Sequence, residues 1–396
     1  MHPVITQIIL YPIKSCGGIA LPSAAIGQRG LEAGKIGDRR WILADAEGVM
    51  ITQRQNANLA RVRIELAGDA LRIGGDGLEP VIADPAEVGG ERLSVLLHGR
   101  EVAGHRAPAA VNAWFSHFLG QTVHLLYQKE EDLRLCDADF AVVPGQDRVG
   151  FADAYPYLIA TEATLAKVNG LLAEPVPMNR FRPNLVVGGT DEDAEYGWQR
   201  LAIGTAELEI VKPCTRCVMT TIDQERGVKT GKEPLATLGR AYFLSAPVGR
   251  GTVQGAIFAE NAIPTRLGTV SMGDAVTVLG KKTSHAFRAA ALMLGLVLAS
   301  PALAQPEGAP PTAMIPAPED SAYPGTLTLS VDATDLARHI FTVHESIPVT
   351  GPGPTTLLFP KWLPGEHAPT GPISQLAGLV VTANGKRLEW QRDPVE

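Results

Sequence analysis

A short apolar run in the middle of the chain limits what the rest of it can be. Arg288 precedes Ala289 to Ala299, and Ser300-Pro301-Ala302-Leu303-Ala304-Gln305 follows. A basic start, a brief apolar stretch and an Ala-x-Ala end have the pattern of a secretory signal peptide. About 11–16 apolar residues fall short of the roughly 20 that a bilayer span requires, so membrane contact is expected only if residues 289–304 insert. Such a signal normally begins a chain. Its position here predicts two unlike pieces, one closing by residue 282 and another beginning after residue 304. At 396 residues the chain also exceeds the size at which single cores usually stop growing.

No signal peptide is expected at Met1, because Ile8 to Leu10 is too short and Pro12 follows it. Hydrophobic residues are 45% and charged residues 19%, as in folded soluble proteins. Lys plus Arg is 35 and Asp plus Glu is 42, a net charge of 35 − 42 = −7. With no basic excess or stripe, nucleic acid is not an expected partner. Four cysteines, Cys16, Cys136, Cys214 and Cys217, are too few for a disulfide framework. Cytoplasmic residence is expected for residues 1–282, while the tail carries a secretory-type signal.

The first 282 residues read as many short strands. Val4 to Leu10 is a strand, and Trp41 to Ala44 and Val49 to Thr52 flank a turn. Val62, Ile64 and Leu66 alternate with charged residues. Leu93 to Leu97 and Glu101 to Ala103 flank His98-Gly99-Arg100. Strands resume at Asn184 to Val187, Leu201 to Val211, Ala241 to Leu244 and Thr252 to Phe258, with a closing pair around Gly273-Asp274. Two helices are expected, Ala109 to Leu119 and one capped by Thr161. The pattern predicts an α+β, mostly β protein built on a barrel. Residues 305–324 read as a Pro/Ala-rich linker, and strand patterns return from Leu327.

Chemistry concentrates in Lys212-Pro213-Cys214-Thr215-Arg216-Cys217. Four readings stand on these residues alone. A structural zinc site needs four ligands, and there is no second Cys pair and no His within about forty residues downstream. A redox dithiol prefers a strand-to-helix corner, whereas Val218 to Ile222 is β-branched and reads as another strand. One thiolate holding a soft metal would be favoured by Lys212 and Arg216. Two ordinary buried cysteines are the fourth reading.

The stretch Lys212 to Leu238, with Thr220-Thr221-Ile222-Asp223 and Gly231-Lys232-Glu233-Pro234-Leu235, resembles the MOSC family, which includes the amidoxime-reducing components. Tyr11-Pro12-Ile13-Lys14-Ser15-Cys16, Asp38-Arg39-Arg40-Trp41, Arg180-Phe181-Arg182-Pro183-Asn184-Leu185-Val186 and Gly268 to Leu279 resemble the family's other landmarks, in order. The resemblance spans about residues 3–281. It implies an N-terminal MOSC-associated β-rich domain at 1–125 and a MOSC β-barrel domain at 126–282. These precede the signal-like segment 283–304, the linker 305–324 and a partial β domain at 325–396.

The resemblance also implies a molybdenum cofactor (molybdopterin). Cys217 matches the metal ligand. Lys14, Ser15, Arg39, Thr161, Arg182, Asn184, Thr215 and Arg216 match positions that hold the cofactor, and Cys217 and Asn184 those nearest the chemistry. A phosphate and a polar ring system need cations, hydroxyls and a helix start. Arg40 matches less well than Arg39, since the family usually has an aromatic there. Cys16 and Cys136 are expected to be buried, and Asp191-Glu192-Asp193 to be a solvated loop.

The implied activity is molybdenum-dependent reduction of small N-hydroxylated compounds. No Cys-x4-Cys-x2-Cys pattern is present, so electrons are expected from a separate donor, ferredoxin- or cytochrome-type with its reductase. Two alternatives are a sulfur carrier bearing a persulfide on Cys217 and a non-catalytic cofactor-binding module. In the tail, Phe359-Pro360-Lys361-Trp362-Leu363-Pro364-Gly365-Glu366-His367 and Leu376-Ala377-Gly378-Leu379 resemble the N-terminal β domain of M61 glycyl-aminopeptidase-like peptidases. No His-Glu-x-x-His occurs, so no peptidase activity is expected. The tail reads as the truncated start of a different, secreted protein, dispensable to residues 1–281.

Overall fold

The computed structural model describes residues 2–89, 91–283, 325–326, 328–335, 340–348 and 380–388. The apolar run at 289–304, the linker at 305–324 and most of the tail lie outside the described residues. The chain divides into two compact units, Met1–Leu292 and Met293–Glu396.

The first unit is mostly β, with three α-helices among the described residues: Ala109–Leu119, Glu162–Gly170 and Leu235–Ala241. Its largest sheet runs in the order Ile19–Ala20, Val4–Leu10, Leu185–Gly188, Tyr157–Thr161, Gly251–Arg266, Ala206–Thr215, Trp198–Ile203, Val276–Lys281. Alternation makes these strands. In Ala206–Thr215, Ala206, Leu208 and Ile210 are buried, while Glu207 and Glu209 between them are only half-buried. The ends of the sheet are drawn together at Val4 and Ala275, with Val276 N donating to Pro3 O at 2.8 Å. A sheet closed this way leaves few unpaired edge groups.

A second, five-stranded sheet orders Arg92–Leu97, Arg100–Arg106, Val123–Tyr127, Trp41–Asp45 and Met50–Ile51. Helix Ala109–Leu119 buries Val111, Trp114 and Phe115. These residues belong to one hydrophobic cluster with Leu43 and Leu125 of this sheet and Ile159, Leu185 and Leu208 of the barrel. The N-terminal β region and the barrel therefore share a core.

Three local expectations are corrected. Val218 to Ile222 is not one strand. Val218–Thr221 is a 3₁₀ turn, and only Ile222–Asp223 is extended. Thr220 Oγ1 donates to Cys217 O at 3.0 Å and Thr221 Oγ1 to Val218 O at 2.8 Å. Hydroxyls that bond back to the backbone outcompete β propensity here. The closing pair around Gly273-Asp274 is not a hairpin: Gly268–Ser271 pairs with Ser23–Gly27, and Val276–Lys281 pairs with Trp198–Ile203. Finally, the sequence pattern missed helix Leu235–Ala241. Glu233 Oε2 caps its start, accepting from Thr237 N at 2.9 Å.

In the second unit the described residues form two hairpins. Thr328–Asp335 pairs with Ile340–Ser346, and Thr382–Ala383 with Lys386–Arg387. Asn384 and Gly385, both at positive φ, make the turn of the latter. No helix among the described residues is long and apolar enough to cross a membrane.

Candidate functional site

Cys217 stands just past the end of strand Ala206–Thr215, where the chain turns into Val218–Thr221. It is half-buried, and Arg54 Nη2 lies 3.5 Å from its Sγ. Cys214 faces a different cation: Arg216 Nη1 is 2.9 Å from its Sγ, and Arg216 Nη2 donates to Phe181 O at 2.8 Å. All four cysteines are free thiols. Cys16 and Cys136 are buried as expected, and burial pushes each thiol up to about 12. Among the described residues no group of three or more His, Cys, Asp and Glu gathers as a metal cluster.

The cations converge from both sheets. Lys14 and Ser15 follow strand Val4–Leu10, Arg39 precedes Trp41–Asp45, and Arg54 follows Met50–Ile51. Lys14 Nζ donates to Phe151 O at 2.9 Å and pairs with Asp153. Burial lowers the Lys14 ammonium to about 8 despite the opposing pull of Asp153. Arg54 Nη2 lies 3.9 Å from the other Asp153 oxygen, and His98 Nε2 is 3.1 Å from Asp153 Oδ1.

Arg39 and Arg182 bracket Tyr11, with guanidinium carbons 4.4 and 4.3 Å from its ring centre. Arg39 Nη1 donates to Asp38 Oδ2 at 2.5 Å and to Asn184 Oδ1 at 3.0 Å, and Nη2 donates to Arg182 O at 3.2 Å. Arg182 Nη1 reaches Gln224 Oε1 at 3.5 Å. Gln224 and Gln53 exchange amide hydrogen bonds, and Gln53 Nε2 donates to Ser15 O at 2.8 Å.

The backbone around these residues is unusual. Ser15, Arg39 and Arg182 all occupy the left-handed region, at φ of 68°, 45° and 55°. Such positions cost about 1–3 kcal/mol each and persist where surrounding structure holds them. Gly150 is part of that support. A Cβ there would meet Arg39 O at 2.8 Å and Asp38 O at 3.0 Å, while Phe151 N donates to Arg39 O at 2.6 Å.

Three further expected site residues have the following contacts. Asn184 is buried with its amide fully engaged. Its Oδ1 accepts from Arg39 Nη1 and from Leu158 N at 3.2 Å, and its Nδ2 donates to Asp38 Oδ1 at 2.9 Å and Ile9 O at 3.2 Å. All four of its side-chain hydrogen bonds are thus made inside the protein, and one of them holds Arg39. Thr161 caps helix Glu162–Gly170, and its hydroxyl donates to the buried Glu195 carboxylate at 2.9 Å. That places it on the carboxylate side of the barrel interior. Thr215 ends the strand, with its backbone paired to Ile257. Arg40 faces away from its neighbour Arg39: it donates to Gln128 O at 3.0 and 2.5 Å and pairs with Glu130 at 2.7 Å. Of the acidic run, Asp191 and Glu192 are exposed, but Asp193 is drawn inward and accepts from Tyr242 OH at 2.8 Å.

The sequence reading missed Tyr11, Gln53, Arg54, His98, Asp153 and Gln224. Tyr11 lay inside a recognised motif without a role. Arg54, His98 and Asp153 are single residues on separate loops, and nothing in their local sequence marks them.

Fold and site together define a β-barrel protein in which two half-buried thiols, Cys214 and Cys217, each lie against an arginine. Family comparison is consistent with that class. Residues 2–122 match the MOSC N-terminal beta barrel domain, and residues 146–277 match the MOSC domain. The chain is 33% identical to mitochondrial amidoxime-reducing component 1 of Homo sapiens over 70% of this chain and 83% of that protein. The same component of Mus musculus is 35% identical over 70% and 82%. Mitochondrial amidoxime reducing component 2 of Bos taurus is 31% identical over 69% and 82%. The chain belongs to the MOSC family. Its residues 328–395 match a different family, the Peptidase M61 N-terminal domain.

Proposed function

We propose that residues 1–282 form a molybdenum-cofactor-dependent oxidoreductase that reduces small N-hydroxylated compounds with electrons from a separate protein. One observation carries this reading: the half-buried thiol of Cys217 has the Arg54 guanidinium 3.5 Å away, and Arg54 shares Asp153 with the buried Lys14. The names of the relatives, amidoxime-reducing components, supply the substrate class.

The donor set fits a polyanionic, polar cofactor. Ser15 Oγ and Arg182 Nη2 are buried and find no hydrogen-bond partner among the described residues. Buried donors left this way cost about 1–3 kcal/mol each, which a ligand offering acceptors would relieve. Cys217 would supply the metal-binding sulfur. Lys14, Ser15, Arg39 and Arg182 would hold the phosphate and ring system, with Asn184 and Asp38 fixing Arg39. When bound, such a cofactor supplies a two-electron change at a metal able to accept oxygen. Reduction of an N–OH group consumes two electrons and two protons, breaks the N–O bond and releases water. The protein's own share is orientation and a fixed positive field.

The test is metal and pterin analysis of the purified protein, followed by reduction of a hydroxylamine or amidoxime with a dye donor. Stoichiometric molybdenum and pterin with turnover is the expected result. A persulfide on Cys217 without metal would replace this reading with sulfur transfer.

A further inference from the structure

The contacts around Asp153 invert the usual order of burial. Its side chain is 58% exposed, yet the groups that hold it are 8% (Lys14), 15% (Arg54) and 20% (His98) exposed. The carboxylate therefore lies over the cations on their solvent side, where an anion arriving from water would first meet them. Its Oδ1 accepts from both Lys14 and His98, and its other oxygen faces Arg54, which also touches Cys217 Sγ.

Arg134 donates to Gly150 O at 2.6 Å, to Ala152 O and to Asp153 O at 2.7 Å, so the backbone beneath is pinned. Lys14 is anchored separately to Phe151 O. His98 sits at a hairpin tip in the left-handed region beside Gly99, a conformation set by the Leu97-to-Arg100 turn and not by Asp153. Lys14 and His98 would keep these positions if the carboxylate turned away.

We propose that Lys14, Arg54 and His98 form a subsite for a tetrahedral oxyanion of the phosphate class, and that Asp153 occupies it as an internal counter-ion until the ligand displaces it. Three donors from separate elements at one point suit several acceptor oxygens better than one carboxylate. The identification of the oxyanion as part of a cofactor rests on the function proposed above; the subsite itself does not. An internal carboxylate keeps buried cations paired before loading and weakens binding of stray anions.

The test is inorganic phosphate binding to the cofactor-free full chain by calorimetry at pH 7. Asp153→Asn removes the competing charge and is expected to tighten phosphate about tenfold, the equivalent of about 1.4 kcal/mol. Arg54→Gln is expected to weaken it by a similar factor, and His98→Asn, which keeps the turn, by a few-fold. Weaker binding in Asp153→Asn would overturn the proposal, since Asp153 would then be orienting the cations instead of competing for them. If Asp153→Asn does not fold, unchanged affinity in both Arg54→Gln and His98→Asn overturns it equally. In cofactor-loaded protein, loss of phosphate binding assigns the subsite to the cofactor's own phosphate, and retained binding assigns it to a free oxyanion. Because the readout is phosphate affinity, a protein without molybdenum would sink the proposed function and leave this test intact.

Discussion

Two buried polar clusters in the first unit carry opposite charge. The first holds Lys14, Arg39, Arg54, Arg182 and Arg216, of which Arg54 touches Cys217 and Arg216 touches Cys214. Deeper in the barrel lie Glu195 and Glu260, both fully buried, with Asp193 nearby. Each cluster contains unpartnered buried atoms: Ser15 Oγ and Arg182 Nη2 in the first, Glu195 Oε1 and Glu260 Oε2 in the second. They escape the cost in different ways. Burial raises Glu195 to about 7 against the hydrogen bonds of Thr164 and Thr161, and Glu260 to about 8 against Lys282. A carboxyl can shed its charge by taking a proton. A guanidinium cannot, so the cationic cluster keeps its charge and is paired with Asp38 and Asp153. The cationic cluster thus keeps a fixed charge and two unpartnered buried donors, while the carboxylate cluster can become neutral.

The sharpest way to break this contrast is at the thiol. Cys217→Ser should abolish molybdenum loading with the fold retained, and Cys214→Ser should be much milder, because Cys214 faces Arg216 and not Arg54. Equal metal loss in both variants would restore a paired-cysteine site. Next in size is Lys14. Lys14→Ala should weaken retention of the pterin roughly 10–100-fold, from a lost charge-assisted contact of about 1.5–3 kcal/mol. In cofactor-free protein Lys14 titrates near 8, so anion affinity should fall as pH rises through that value, and Lys14→Arg should hold it up. A flat profile across pH 7–9.5 would remove Lys14 from the subsite.

The carboxylate cluster predicts a pH effect on stability instead. Glu195 and Glu260 hold protons more tightly folded than at their ordinary value of 4.5. The folded state thus binds more protons than the unfolded chain between about pH 4.5 and 8. This contribution favours folding at the acid end and is lost as pH rises through the folded values, by about 2–3 kcal/mol for Glu195 alone. Glu195→Gln should flatten the fall, read from denaturant melts at pH 5 and pH 8. An unchanged slope would mean that Glu195 is not protonated.

A smaller effect tests where the barrel ends. Lys282 Nζ pairs with Glu260 at 3.1 Å, and Lys282 N donates to Gly197 O at 2.9 Å. A chain ending at Lys282 should fold and load cofactor like the full chain, and one ending at Lys281 should melt lower, by about 1–2 kcal/mol. Identical melting of the two would deny the clip any role. The smallest effect separates the clusters at Thr161. Thr161→Ala should cost about 1 kcal/mol as a lost helix cap and leave pterin content unchanged. Lost pterin would move Thr161 into the ligand site.

Much of this was legible in the amino-acid order. The strand Val4–Leu10 and the helix Ala109–Leu119 follow from local alternation and 3.6-residue spacing. The Lys14, Arg39, Arg182 and Cys217 positions stand in short motifs whose resemblance is contiguous, so the sequence alone determined the family. It also determined that the chain changes character near residue 282, because composition is a local property. Only tertiary structure decided the rest. Gly268–Ser271 and Val276–Lys281 part to different sheets because barrel closure, a long-range condition, outweighs a turn's preference for a hairpin. Arg39 and Arg40 are adjacent, yet the positive φ of Arg39 aims one at Tyr11 and leaves the other to bind the Gln128–Glu130 segment. Arg54, His98 and Asp153 are far apart in sequence and meet only when the N-terminal sheet and the barrel bury a common core. Electrostatic neighbours are set by distance in space, which local sequence does not encode.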